Sequence, residues 1–423
     1  MSEEFEAAVG MSRKWDAREA GREVAESTIR KLHRPPDFFL LFSTIHYEKH
    51  GGFQEFLKGV WEVLPKETPL IGGTVAGFIN NYGCYTRGAT GLAICASDIE
   101  VSHGSGSNTK RNPKNAVSAT AENLDQNEVY KNNIIIEVCP TAVIPSIPGF
   151  GQKNVILSRK IGSGFVKLLP LLKRMNYGYD RADEIIELLA ERYKKRIIIG
   201  GCTMDDNKFL CNYQFHGKKV GKNTLLALNV SIPNNVLLKT IIGYKNQETK
   251  FKIDAISKDR HVVSKMDGMG ARSALSKKLN LNIEEKEAVY QLYKHVYYYP
   301  LGFKKDEIWH ASMIGLIYGE NLIFGNIIEN RELTLLTVSI EETMKKIKES
   351  LNEFSTINPS CIFGFACETF METLRKNIFE IQDSMKKLNT PFLIPFVAGE
   401  SVYNPEKGAH HLYESLNLIA IGS

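Results

Sequence analysis

The chain has 423 residues, 43% of them hydrophobic and 24% charged, an ordinary globular composition long enough for two cores. Its net charge of +5, from 53 basic and 48 acidic residues, is small and scattered, which argues against a nucleic-acid partner. No stretch approaches the ~18 apolar residues of a membrane span, the acidic N-terminus lacks a signal-peptide pattern, and the seven cysteines form no C-x-x-C pair, so a reduced, cytoplasmic protein is expected.

Residues 1–14 read as a loose tail, and Asp16 as the N-cap of a helix ending before Pro35-Pro36. A buried strand is expected over Phe38–Ser43, a helix over Phe53–Leu64 and a second strand over Leu70–Thr74. Residues 104–115 read as a polar loop, followed by a helix ending near Asn127. Strands follow at Asn133–Val138 and Arg196–Cys202, separated by helices at about 158–175 and 181–194, and then strands at Phe209–Phe215 and Thr224–Val230. Beyond the turn-rich Ser231–Asn235 come strand patterns at 236–243, 250–256 and 262–266, helices at 270–279 and 283–295, and strands near 308–318 and 331–338. A helix at 340–353, the apolar runs Cys361–Ala366 and Leu416–Ile421, and a strand between them complete the chain.

One phrase occurs twice without a gap: Thr68-Pro-Leu-Ile-Gly-Gly-Thr-Val-Ala-Gly77 and Thr390-Pro-Phe-Leu-Ile-Pro-Phe-Val-Ala-Gly399. Each copy follows an apolar strand and a helical segment and precedes a turn-rich stretch and a closing strand, so the unit repeats and not merely the words. Ile199-Gly-Gly201 echoes the first copy and marks a third unit in the middle of the chain. The expected fold class is mixed α/β (α+β), layered sheets and helices built from repeated strand-helix-strand-strand units in two related halves. Ser231–Asn235 offers the seam, giving domains 15–235 and 236–423.

These segments resemble the FIST sensory-domain family over nearly the whole chain. Ala17–Ala25 is similar to that family's opening helix, and Phe38–Ser43 with Pro69–Gly77 is similar to its strand, helix and P-x-I-G-x-[ST]-x-A-G core. Arg196–Cys202 resembles its second glycine-glycine strand. In the C-terminal half, Met266–Ala271 resembles a Leu-Asp-Gly-x-Pro-Ala motif with Gly270 where proline is usual. Phe363–Cys367 resembles a Phe-Ser-Cys strand, and Phe396–Glu400 a Gly-Glu signature. The resemblance implies a non-enzymatic, cytoplasmic module that binds a small molecule, an amino acid or related metabolite. Such modules are often fused to kinases, chemoreceptors, cyclases or an F-box; with none in view here, a signalling partner protein in trans is expected. Some relatives are reported to bind haem, but no axial ligand transfers to a histidine here, and no cofactor is assigned.

Candidate ligand-binding residues are Gly72, Gly73 and Thr74, Gly200 and Gly201, Cys367 and Glu400. The glycine pairs end buried strands, where a ligand meets bare backbone or a neighbouring element packs closely. They form neither G-x-G-x-x-G nor a P-loop, so a nucleotide is not indicated. Glu400 follows an apolar strand and needs a partner, either a ligand amine or an internal Lys or Arg. Asp267 reads as the cap of the next helix. Cys367 with His410-His411 would suit a thiol nucleophile, or simply a buried structural thiol. His46 and His50 have metal-pair spacing, yet Ile45–Gly52 reads as a loop, and no metal ligand set is assigned. The aromatic run Tyr297–Tyr299 reads either as a pocket wall or as an edge strand stopped by Pro300. A hydrolase using Cys367 or a strand-terminal Thr or Ser, and a ligand-free protein-interaction scaffold, are the alternative functions.

Overall fold

A computed structural model describes residues 5–124, 129–146, 154–281, 283 and 295–422. Phe5–Ser12 is strand β1, not the tail expected from the sequence, and pairs antiparallel along its length with β6 (Ala89–Ala96). The signal is masked by small residues, Ala7, Ala8 and Gly10, which let α1 (Ala17–Ile29) pack close. A Cβ on Gly10 would lie 2.2 Å from Thr28 Oγ1. Asp16 caps α1 as expected, its carboxylate accepting from Glu19 N at 2.9 Å.

The first unit continues with β2 (Phe38–Thr44), a 3-10 turn at Ile45–Lys49, α2 (Phe53–Trp61), β3 (Leu70–Val75) and the hairpin β4 (Gly77–Asn80)–β5 (Gly83–Tyr85) before β6. The second unit runs β7 (Glu100–Ser107), α3 (Pro113–Ala121), β8 (Asn132–Pro140), β9 (Val155–Ile156), α4 (Arg159–Arg174), α5 (Ala182–Arg192) and β10 (Ile197–Thr203). The hairpin β11 (Gln214–His216)–β12 (Lys219–Gly221) and β13 (Thr224–Ile232) complete it. The third opens with β14 (Val236–Ile242) and is interrupted by β15 (Tyr244–Ile256), β16 (Val262–Met266), β17 (Met269–Gly270), α6 (Ala271–Leu279), β18 (Leu301–Lys305), β19 (Ile308–Ser312), β20 (Ile314–Tyr318), β21 (Asn321–Phe324) and β22 (Glu332–Val338). It resumes with α7 (Ile340–Ser355), β23 (Pro359–Cys367), α8 (Phe370–Thr373), α9 (Asn377–Lys386), β24 (Phe392–Val397), the hairpin β25 (Glu400–Asn404)–β26 (Gly408–Leu412) and β27 (Ser415–Gly422).

Among the described residues, the three units make three sheets of one pattern, β1-β6-β2-β3-β11-β12, β7-β13-β8-β10-β25-β26 and β14-β27-β23-β24-β4-β5. In each, the third and fourth strands are the parallel pair that leads into the repeated phrase. The closing hairpin is never a unit's own. The hairpin after β3 completes the third sheet, that after β10 the first, and that after β24 the second. A ring of backbone bonds joins the strand ends: Ala76 N donates to Phe396 O, Met204 N to Thr74 O and Ala398 N to Cys202 O, at 3.0, 2.8 and 3.0 Å. Mixed α/β architecture from repeated units is therefore what the chain adopts.

Strand alternation explains the packing. Phe38, Leu40 and Phe42 of β2, Ile134, Ile136 and Val138 of β8, and Cys361, Phe363 and Phe365 of β23 face one shared core. Residues of opposite parity, such as Phe39, Ile135 and Ile362, turn outward to each unit's own helices. Between β14 and α7 the inserted strands form a further sheet, which β9 joins by pairing with β20. This sheet stands over the junction of the second and third units.

Some local expectations need correction. Residues 104–107 belong to β7, not a loop, because Gly104 and Gly106 pack directly on α3 backbone. Only Gln214 and Phe215 of the Phe209–Phe215 segment are strand, in β11, since the Asp205 carboxylate gathers the N–H groups of Lys208, Phe209, Leu210 and Cys211 into a turn. Asp267 does not cap α6, whose N-cap is Gly270; its carboxylate accepts from Lys252 N and pairs with Lys278. The helix expected over 283–295 and the helix end near Asn127 lie outside the described residues.

Candidate functional site

A cavity of about 480 Å³ opens where the second unit, the third unit and the inserted sheet meet, a size suited to a small metabolite. The loop after β8 contributes Thr141 and Ile144, the approach to α5 Tyr179 and Asp180, and the turn after β10 Asn207 and Phe209. The inserted sheet supplies Met313–Leu316 and Ile323–Gly325. The end of β23 supplies Cys367–Thr369, and Tyr413 closes the wall beside β26.

Phe209 is held in the cavity wall by that Asp205-bound turn, with φ at +54°, a conformation a bulky residue adopts only when its surroundings impose it. Its carbonyl accepts from Ile144 N at 2.8 Å, tying the two second-unit loops together. Tyr179 stacks on His261 and donates its hydroxyl to Asp259 of the insert.

The chemistry of the wall is acidic and aromatic. Glu368 accepts from Asn207 Nδ2 at 2.8 Å, and burial pushes its carboxyl up to about 7. Asp180 is raised to about 6 by burial, against the pull of the Lys110 charge. Lys110, itself buried, is pushed down to about 8 and donates to Asn223 Oδ1 at 2.8 Å. Asn154 Oδ1 is buried without a hydrogen-bond partner. Among the described lining residues there is no Lys, Arg or His.

Of the candidates drawn from the sequence, Cys367 lies in this wall. Thr369 Oγ1 donates to its sulfur at 3.0 Å, and burial, with the nearby Glu400 and Glu414 charges, raises its thiol far from the thiolate a nucleophile needs. Glu400 is fully buried behind it and accepts from Ser415 Oγ at 2.7 Å. Among the described residues the internal Lys or Arg expected as its partner is not there; burial raises the carboxyl well above its usual range, and Oε1 has no partner. Gly72, Gly73, Thr74, Gly200 and Gly201 sit within paired strands away from the cavity. An added Cβ would lie 1.8 Å from Leu41 O at Gly72, 2.4 Å from Thr203 Cγ2 at Gly73, 2.5 Å from Glu137 O at Gly200 and 2.7 Å from Val397 Cγ2 at Gly201. Thr74 Oγ1 accepts from Tyr213 N at 3.0 Å, fixing the turn into β11.

The histidines sort differently from their spacing in sequence. His46, near the start of the 3-10 turn, and His50, just after its end, both lie against Trp15. His410 contacts His310 and donates to Lys407 O. His411 lies beside Cys202 and Asp180 rather than forming a base for Cys367. Tyr297 is in the cavity wall, the first of the two readings of that aromatic run. Sequence reading missed Glu368, Asp180 and Asn154. Glu368 directly follows the Phe363–Cys367 strand, and Asp180 precedes α5 where a capping acid would stand, so a signal existed for both.

A comparison with solved structures found a cyanuric acid hydrolase from A. caulinodans, 8% identical over 55% of this chain and 72% of that one, with a TM-score of 0.26. A comparison with curated proteins found no match. Among the described residues no helix is long and apolar enough to cross a membrane. The FIST N domain family matches residues 37–269, more than half of the chain, running from just before β2 of the first unit through the second unit and into the insert of the third, so the chain belongs to the FIST family of sensory domains.

Proposed function

We propose that the chain is a cytoplasmic small-molecule sensor whose ligand occupies the cavity between the second unit, the third unit and the inserted sheet. On this reading residues 236–423 are the family's C-terminal half and 15–235 its N-terminal half. The observation that carries the ligand class is Glu368, a carboxyl raised by burial in an aromatic wall with no cation among its described lining. An ammonium group entering there supplies the missing charge and restores the carboxylate, an interaction stronger in a desolvated site than in water. Asn154 Oδ1 offers a second acceptor for the same N–H-rich end, and Tyr179, Phe209 and Phe324 enclose an apolar body. The ligand is therefore an amino acid or a related amine-bearing metabolite, read chiefly through its amine.

Three separate parts of the chain build the wall, so occupancy favours the arrangement in which they close together. The signal passes to a partner protein in trans. The experiment is a thermal-shift screen with amino acids and primary amines beside their carboxylate-only analogues. Amines are expected to raise the melting temperature by preferential binding to the native state, and Glu368→Gln to abolish the response while leaving the unliganded midpoint near that of the parent. A panel without any shift, or one in which the carboxylate-only analogues act alone, overturns this reading.

A further inference from the structure

Next to the cavity, and sharing Asp180 with its wall, stands a group with different chemistry. Asp180, Cys202 and His411 each present a donor atom, all within 4.8 Å of one another, and all three are buried. They come from three places: the residue two before α5, the penultimate position of β10, and β26, the hairpin strand that the third unit lends to the second sheet. We propose that these three residues bind a borderline-soft divalent metal ion of the zinc class, with a coordination position left toward the cavity that Asp180 also lines.

Four observations converge on it. The first is the donor set: thiolate, imidazole and carboxylate together suit zinc and its neighbours, whereas magnesium and calcium prefer oxygen alone. The second is the orientation of His411. Its Nδ1 meets Ser401 Oγ at 3.3 Å, while Nε2 is buried without any hydrogen-bond partner. A ligating histidine shows the same division, one nitrogen held by an outer group and the other presented to the ion. A buried unpaired imidazole nitrogen costs free energy that a metal bond would recover.

The third is Gly399. A Cβ there would lie 2.7 Å from His411 Nε2, so the missing side chain leaves room beside the one nitrogen that lacks a partner. Gly399 O also accepts from Cys202 N at 3.0 Å, which fixes the glycine to the thiol's own backbone. The fourth is the bracing of the other two donors. Asp180 accepts from Ala182 N at 3.4 Å and from Thr141 Oγ1 at 3.5 Å. Cys202 stands directly across from Cys139 on the parallel β8–β10 pair, their sulfurs 3.3 Å apart. Cys139 would then hydrogen-bond to the metal-bound thiolate and stabilise it.

Loading the site is a proton exchange without oxidation. The Sγ–H bond of Cys202 breaks, its proton leaves to solvent, and the sulfur lone pair forms the bond to the ion, while neutral His411 and ionised Asp180 supply the remaining donors. The site stands on its own geometry and does not depend on the sensor reading, because Glu368 is not among its donors.

The test uses the full chain expressed in cobalt-supplemented minimal medium, since buried ligands are best loaded during folding. A stoichiometric cobalt content with thiolate-to-cobalt charge-transfer absorption and tetrahedral ligand-field bands is expected. Cys202→Ser and His411→Gln should lose the charge-transfer band, and Cys211→Ser, whose thiol meets Glu48 and is not among the three donors, should keep it. If either ligand variant fails to fold, Asp180→Asn decides: it should release cobalt to a chelator at least tenfold faster than the parent. Protein that remains metal-free, a band that survives Cys202→Ser, unchanged release from Asp180→Asn, or an intact mass showing a Cys139–Cys202 disulfide in place of metal would each overturn the proposal.

Discussion

Replacing Glu137 with Gln should change how the stability of this protein depends on pH, and by an amount the structure fixes. Glu137 lies on β8 in the row that turns outward to the helices of the second unit, between Ile135 and Cys139, and is fully buried. Neither carboxyl oxygen has a hydrogen-bond partner. Burial raises the group from an ordinary 4.5 to about 7, with only the neighbouring Cys139 and Ser401 side chains opposing the rise. The folded chain thus binds this proton more tightly than the unfolded chain does. Its contribution to stability is fully present below pH ~4.5, declines as pH rises, and is gone above pH ~7. A rise of that size corresponds to roughly 3 kcal/mol at most, taking 1.36 kcal/mol for each tenfold change in proton affinity. Gln has the same shape and cannot ionise, so it removes the decline. Urea unfolding of the parent and Glu137→Gln at pH 5, 6, 7 and 8 gives the stability difference at each pH. That difference should move in favour of the variant by at least about 1 kcal/mol and at most about 3 between pH 5 and 8. Glu400 and Glu414, raised in the same direction by burial, are present in both proteins and largely cancel. A difference that stays constant across this range would refute the argument, since it would mean that Glu137 titrates alike in both states.

Ligand affinity should also follow pH: with Glu368 held near 7, an amine binds more tightly as pH rises from 6 to 8, with net proton release measurable by calorimetry in buffers of different ionisation enthalpy. Gly72→Ala should destabilise by at least the ~1–3 kcal/mol of ordinary overpacking, because the new methyl would meet the Leu41 carbonyl, a backbone atom that cannot turn away; a midpoint equal to the parent's would contradict it. Phe365→Ala should cost about 3–5 kcal/mol in urea unfolding, since its ring is buried in the shared core in edge contact with Phe42 and against Gly201.

The repeat was legible because it is written in backbone-critical residues. Thr68–Gly77 and Thr390–Gly399 recur where strand ends approach one another, and Ile199-Gly-Gly201 marks the third copy through the same demand for bare backbone. The exchange of hairpins was not legible: β4–β5 pairs with β24 rather than β3, and nothing in its composition names the partner sheet. Strand β1 was hidden by residues small enough to admit α1, the same feature that buries it. At the candidate site Glu368 and Asp180 went unread although each stands at a readable place, after the Phe363–Cys367 strand and before α5, and their gathering left no sign at all. Asp180, Glu368 and Asn154 converge only because an inserted sheet stands over the junction of two units, a long-range fact without a local signature. Glu400 shows the opposite failure. The sequence signals a buried carboxylate that needs a partner, and the chain gives it the Ser415 hydroxyl rather than an opposite charge, while burial raises the carboxyl.

Three near-equivalent units make it possible to ask why one vertex differs. The ring of backbone bonds sets Thr74, Cys202 and Phe396 in equivalent places, and Ala76, Met204 and Ala398 in the next set. By the same register Gly77, Asp205 and Gly399 correspond. At the first vertex Thr74 bonds backbone and is fully buried, and at the third Phe396 is core. At the second, the equivalent strand end carries a thiol, and the residue three further on is a carboxylate that shapes the turn bearing Phe209. The cavity lies at this vertex, beneath the sheet inserted in the third unit. A buried polar cluster costs stability wherever it stands, and in this fold the shared core is continuous through all three sheets. The other two vertices can therefore carry the packing, leaving the second to hold buried carboxyls and an open cavity. Function in such a fold should be sought where the repeat fails, and here it fails between β10, β23 and the inserted sheet.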